Sequence, residues 1–195
     1  MTRSWTVRRR DSDVSPVQHH PDRRSPLVLE VHELGRSAGS TRVIQRTVPA
    51  PADLGIEVIG VPEGSDVELD LKLEAVVEGV LVTGTATVQL HGECARCLDD
   101  IEYEETFDLQ ELFFYPGREV EEDESVVVDD TIDLDETLRD AVVLELPFTP
   151  LCSDDCLGLC PDCGFNRNDD PAHSHGEKID PRWEGLSELL GETNN

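Results

Sequence analysis

Apolar and polar residues alternate most strictly in the middle of the chain. Val67, Leu69, Leu71, Leu73 and Ala75 share one parity, and Glu68, Asp70, Lys72 and Glu74 the other. After Glu78-Gly79 the pattern resumes, with Val80, Val82, Ala86, Val88 and Leu90 set against Thr83, Thr85, Thr87 and Gln89. A period of two places one face of a strand in a core and the other in water. A glycine-containing turn between two such runs predicts an antiparallel hairpin. Ile101, Tyr103 and Phe107 continue the alternation, so a three-strand meander is expected. Pro26–Val31 and Arg42–Val48 predict earlier strands, the second broken by Pro49-Ala50-Pro51, and Val126–Val128 a later one.

The period then changes. Leu134, Leu138, Val142 and Leu146 recur every four residues and stop at Pro147, with Asp133 or Asp135 placed to cap a helix near 134–146. Asp180-Pro181 opens a second helix carrying Trp183, Leu186, Leu189 and Leu190. The fold class predicted is α+β: an antiparallel sheet, as an open barrel or sandwich-like meander, with one or two helices and a cysteine-rich zinc-knuckle C-terminal segment. Three regions follow. Residues 1–25 read as a flexible basic tail, 26–148 as the β-rich domain, and 149–195 as the knuckle segment with its terminal helix. Residues 116–125 read as a solvated acidic loop.

Composition limits what this sheet can do. The chain has 195 residues, a 37% apolar fraction and nine aromatics, which makes for a thin core that a metal or crosslink would reinforce. Its net charge is −27, from 43 acidic and 16 basic residues. Charge of that size repels phosphate over roughly a Debye length, about 8 Å at physiological salt, and argues against a broad nucleic-acid groove. Six arginines within residues 1–24 form a basic arm against only three aspartates there. The N-terminus has no apolar run of a secretory signal, and no stretch is apolar for long enough to span a membrane. A cytoplasmic location is therefore expected.

In that compartment six cysteines point to metal rather than disulfides. Cys94-Ala95-Arg96-Cys97 follows the second long strand, and Cys152, Cys156, Cys160 and Cys163 lie within twelve positions. Cys160-Pro161-Asp162-Cys163-Gly164 is a knuckle: the two-residue gap lets both thiolates face one ion, and glycine admits the tight left-handed turn. Zinc takes four soft ligands in a tetrahedron. Two assignments are open. The favoured one is local, on Cys152, Cys156, Cys160 and Cys163. The other joins Cys94 and Cys97 to Cys160 and Cys163. His173 and His175 are available to replace or complete either set. A structural zinc contributes on the order of 10 kcal/mol to folding, against about 2–4 for a disulfide. Thiol redox catalysis fits poorly, because Cys94 lies between two strand-like runs with no helix N-terminus to lower its pKa. No phosphate loop, Gly-x-Ser-x-Gly or His-Glu-x-x-His motif is present, and no small-molecule substrate is evident.

Taken in order, Cys94-Ala95-Arg96-Cys97-Leu98, the helix ending Leu144-Glu145-Leu146-Pro147, the run Cys152 to Asn166, and Asp180-Pro181-Arg182 resemble the YceD family, the large ribosomal RNA subunit accumulation proteins. The resemblance covers roughly residues 26–190 and looks like the version found in high-GC Gram-positive bacteria. It implies a role in accumulation of 23S rRNA and no known catalytic activity; the factor is expected to be non-enzymatic, with large-subunit rRNA or, as suits the acidic charge better, a basic ribosomal protein as partner. Many relatives carry Cys-x-Cys about where this chain has His173-Ser174-His175, which preserves ligand chemistry. Others keep only the early Cys-x-Arg-Cys, which weighs against the two-knuckle assignment. Arg96 and Arg182 occupy the most recognisable motif positions and are the expected partner-binding residues. The alternatives are a thiol oxidoreductase and a purely structural zinc-binding module of a larger complex.

Overall fold

A computed structural model describes residues 21–35, 37–117 and 124–175. The strands in chain order are β1 (Val28–Glu30), β2 (Thr41–Pro49), β3 (Gly55–Ile56), β4 (Ile59–Gly60), β5 (Asp66–Ala75), β6 (Gly79–Glu93), β7 (Asp100–Phe114) and β8 (Thr131–Asp133), and one helix, α1, spans Asp135–Glu145. The fold is α+β, with open antiparallel sheets.

The alternating runs form the strands their period predicts. β5, β6 and β7 are a meander, and β2 adds to the outer edge of β5 from Thr41 opposite Glu74 to Pro49 opposite Asp66. One face presents Leu69, Ala86 and Phe107 side by side, then Leu71, Gly84 and Leu109, all from opposed register positions. These apolar rows are buried and form the core with Leu138 and Val142 of α1, each 0% exposed. Burial of such rows, at about 25 cal/mol per Å², is the main force holding the sheet to the helix.

β6 is longer than β5 and uses its surplus. Residues 80–88 pair with β5, while His91 and Gly92 pair with β4 on the same edge. β7 runs along the whole opposite edge from Gly79–Phe114 to Glu93–Asp100. The β6–β7 connection, Cys94 to Asp99, therefore projects beyond the end of the sheet. The β3–β4 hairpin has no sequence signature, since two residues per strand cannot display a period. β1 pairs with β8 in a separate two-stranded sheet.

α1 starts where aspartate was expected to cap it, although Leu134 occupies the cap position and contributes no side-chain bond. Asp133 instead accepts the Asp135 amide at 3.1 Å, and Asp135 and Glu136 in the first turn oppose the positive end of the helix dipole. Pro147 ends the helix, as expected. The Val126–Val128 strand reduces to isolated bridges, Phe114 with Val126 and Val128 with Thr131. The N-terminal arm through residue 20, most of the acidic loop (118–123), and the terminal helix with Arg182 lie outside the described residues.

Candidate metal centres

The β6–β7 loop is itself a knuckle. The Cys94 amide donates to the Asp99 carbonyl at 2.8 Å and the Leu98 amide to the Cys94 carbonyl at 2.9 Å. Leu98 closes the turn in the left-handed region at φ 62°. After α1 the chain returns along both sides of this loop: Ala95 donates to the Pro150 carbonyl at 2.8 Å, and Leu159 to the Arg96 carbonyl at 3.0 Å. Gly158 crosses so close that a Cβ there would lie 3.0 Å from the Arg96 oxygen, and its φ of 70° also favours glycine.

This docking brings Cys152 and Cys156 to Cys94 and Cys97. The Cys94 and Cys156 sulfurs are 3.8 Å apart and those of Cys97 and Cys152 3.5 Å apart. All four sulfurs lie within 4.8 Å of one another. These are not disulfides; every cysteine is free. A tetrahedral ion with bonds of about 2.3 Å to sulfur needs its ligands about 3.8 Å apart, so the set fits one. Cys94, Cys97 and Cys156 are buried with Ile101, and Tyr103, Leu151 and Leu159 pack around them.

The second group is more open. Cys160 and Cys163 form a turn in which Cys160 donates to the Phe165 carbonyl, and Gly164 to the Cys160 carbonyl, each at 2.8 Å. A bridge from Leu159 to Asn166 closes it. Cys163 Sγ lies 3.3 Å from His173 Nε2 and 3.1 Å from His175 Nε2, and the two imidazole nitrogens are 3.1 Å apart. Phe165 stacks on His173 with centroids 4.6 Å apart. With Cys160 these atoms also fall within 4.8 Å of one another. Either cluster could hold a metal ion.

The six cysteines are thus divided differently from the local quartet expected of them. Among the described residues, neither Cys152, Cys156, Cys160 and Cys163 nor Cys94, Cys97, Cys160 and Cys163 converge as one set. The reason is local backbone geometry. The turn at Cys160–Phe165 points its thiols toward the following histidine loop, while the Ala95–Pro150 and Arg96–Leu159 bonds turn Cys152 and Cys156 the other way. The histidines, flagged as substitutes, form half of the second group.

Arg96, expected to project toward a partner, turns back on the chain. Its Nη1 donates to the carbonyl oxygens of Cys156 at 3.0 Å and Asp154 at 3.4 Å. Two asparagines to which the motif reading gave no role, Asn166 at the end of the cysteine run and Asn168 beyond it, have a part here. Asn168 Nδ2 donates to Cys156 Sγ at 3.3 Å while its Oδ1 accepts the Leu157 amide at 2.8 Å. Asn166 Nδ2 donates to Asp99 Oδ2 at 2.9 Å. Their one sequence signal was position, between a knuckle and a histidine pair.

The electrostatics favour thiolate at Cys94, Cys156 and Cys160 and oppose it at Cys97 and Cys152. Burial opposes charge on Cys94, but the amides of Cys97, Cys152 and Arg96 directed at its sulfur prevail and lower its thiol to about 6. The Asn168 amide lowers Cys156, and the Asp162 and Cys163 amides lower Cys160. Burial pushes the Cys97 thiol up.

The family model of the large ribosomal RNA subunit accumulation protein YceD matches residues 82–190, more than half of the chain. The chain belongs to the YceD family. An uncharacterized protein of Mycobacterium bovis is 46% identical over 194 residues, covering 95% of this YceD chain and 93% of its own length. An uncharacterized protein of Mycobacterium leprae is 42% identical over 171 residues, covering 85% and 78%. The uncharacterized protein YlbN of Bacillus subtilis is 31% identical over 100 residues, covering 50% and 58%. No solved structure matches. The span that matches the YceD model contains all eight residues of the two clusters. YceD is not a known enzyme family. No helix among the described residues of this YceD chain is long and apolar enough to cross a membrane.

Proposed function

We propose that this protein is a non-enzymatic cytoplasmic factor supporting accumulation of 23S rRNA and large-subunit assembly. It does so by holding a basic ribosomal protein on its acidic sheet, with zinc on Cys94, Cys97, Cys152 and Cys156 as a structural fastening. Membership of the YceD family supports the biological role. The observation that carries the mode of action is the outer face of the β5–β6–β7 sheet. Glu68, Asp70, Glu102, Glu104 and Asp108 are exposed there, around a central column of threonines. Lys72 on the same face is matched by Glu74 at 2.7 Å. A phosphate backbone needs a Lys or Arg for each contact, and this face instead offers carboxylates. A lysine- and arginine-rich protein suits it, and the acidic surface would speed encounter.

One observation favours a thiol oxidoreductase: the low Cys94 thiol beside a high Cys97 resembles the split of a redox dithiol. Access argues against it. Cys94 is 0% exposed and faces Cys156 rather than solvent.

The test is capture of crosslinked partners on the native protein across a salt series, together with rRNA profiles of a deletion strain. A basic ribosomal protein should be retained at low salt and shed at high salt, and 23S rRNA should fall relative to 16S. Retention of naked rRNA with no ribosomal protein would refute the docking mode; an unchanged 23S profile would refute the role.

A further inference from the structure

We infer that the chain holds two metal ions: the second, on Cys160, Cys163, His173 and His175, is the exchangeable one, and its binding steadies the first. The inference rests on the reading of Cys94, Cys97, Cys152 and Cys156 as a zinc centre.

The second group meets the demands of a metal on its own. Mixed ligands at about 2.3 Å for sulfur and 2.0–2.1 Å for nitrogen stand roughly 3.3–3.6 Å apart around a tetrahedral ion. The separations among Cys163, His173 and His175 are 3.1–3.3 Å, and Cys160 lies within 4.8 Å of each. Two imidazole nitrogens and a sulfur converge on one small volume. With both imidazole protons on Nδ1 and the thiol ionised, all three atoms offer lone pairs that one cation can accept. Two thiolates with two imidazoles and no carboxylate select an ion of borderline softness, zinc above magnesium or calcium.

The two centres differ in access. In the first, Cys94, Cys97 and Cys156 are at most 5% exposed and Cys152 alone is open to solvent; in the second, Cys160 alone is buried, Cys163 and His175 lie open and His173 is half-buried. A chelator meets three accessible ligands at the second centre and one at the first, so it strips the second ion first.

The coupling follows from where the asparagines sit. Asn166 and Asn168 belong to the loop between Cys163 and His173, which an ion in the second centre closes. From that loop Asn168 donates to the Cys156 sulfur and Asn166 to Asp99 at the base of the first knuckle. The second ion thus fixes hydrogen-bond donors of the first centre. Partners of this kind are commonly worth a factor of 10–100 in metal affinity. Linkage makes the effect mutual: loss of the second ion weakens the first, and the reverse.

The experiment uses the full chain, zinc-loaded, with metal analysis, chelator competition, and spectra of the cobalt form. Wild type should carry two ions per chain, one released quickly and one slowly, and its cobalt spectrum should combine an all-thiolate centre with a two-thiolate, two-imidazole one. The double variant His173→Ala/His175→Ala should keep one all-thiolate ion, held about 10-fold or more less tightly than in wild type. The variant His173→Cys/His175→Cys keeps four ligands and should restore two ions and the tighter first site. One all-thiolate ion in wild type would overturn the inference while leaving the zinc fastening intact. One mixed-ligand ion would instead overturn the fastening. An alanine variant that keeps two ions, or holds its single ion as tightly as wild type, would also overturn the inference. Loss of both ions that the cysteine variant fails to reverse would do the same.

Discussion

Asn168→Ala isolates the bond by which one loop serves the other centre. The substitution removes a donor to the Cys156 sulfur at 3.3 Å and an acceptor for the Leu157 amide at 2.8 Å. A hydrogen bond to a charged acceptor is worth about 1.5–3 kcal/mol. The Leu157 bond is exposed, and water replaces it at little cost. A net loss of about 1.4–2.8 kcal/mol corresponds to a 10–100-fold weaker ion, the range typical of outer-sphere partners. Because zinc contributes on the order of 10 kcal/mol to folds of this kind, the variant should stay folded and metal-loaded in excess zinc. The defect should appear only in competition with a graded series of chelators. Asn168→Asp keeps the acceptor for Leu157 but sets a carboxylate against a thiolate, so it should fall below alanine. Affinities for both variants within about threefold of wild type, roughly 0.6 kcal/mol, would refute the reasoning.

Other substitutions probe the frame. Leu138→Ala removes a 0%-exposed side chain from the joint between α1 and the sheet and should cost about 2–5 kcal/mol, read as a lower urea midpoint with an unchanged slope. Gly158→Ala meets the Arg96 carbonyl at 3.0 Å and a φ of 70°; the left-handed backbone alone costs about 1–2 kcal/mol. It should lower the Tm and speed labelling of the buried thiols. In metal-free protein the Cys94–Cys97 pair should release one proton near pH 6 and keep the other above the ordinary thiol range. A lowered thiol stabilises the fold at high pH: the Cys94 contribution is complete above its ordinary value of 9.0 and is lost as pH falls toward 6. Ultraviolet thiolate absorbance follows this, and a single titration of all thiols near pH 9 would refute it.

Much of the architecture could be read from residue order because its causes are periodic. The alternation from Val67 to Phe107 needs only neighbours two apart, and Leu134 to Leu146 only neighbours four apart. The candidate metal centres are a different problem. Cysteine spacing reports which thiols can share an ion locally, and by that measure Cys152 to Cys163 is the natural set. The actual partners of Cys152 and Cys156 are 55 and 62 residues away. Their pairing depends on how far β6 and β7 overrun β5 and on where α1 returns the chain, neither of which a motif encodes. The bonds of Arg96 were hidden for the same reason: the carbonyls of Asp154 and Cys156 that it binds are 58 and 60 residues away.

The split between early and late thiols gives the chain a timetable. A ribosome adding about 5–20 residues per second finishes Cys97 some 3–11 seconds before it reaches Cys152, 55 positions on. Once β7 is complete at Phe114, the nascent β6–β7 hairpin displays a two-sulfur claw with no counterpart until Cys152 follows. Any ion captured then is held by half a coordination sphere, and any oxidant meets two adjacent naked thiols. On the zinc reading proposed above, maturation of this fold calls for a reducing, zinc-supplied setting during translation itself.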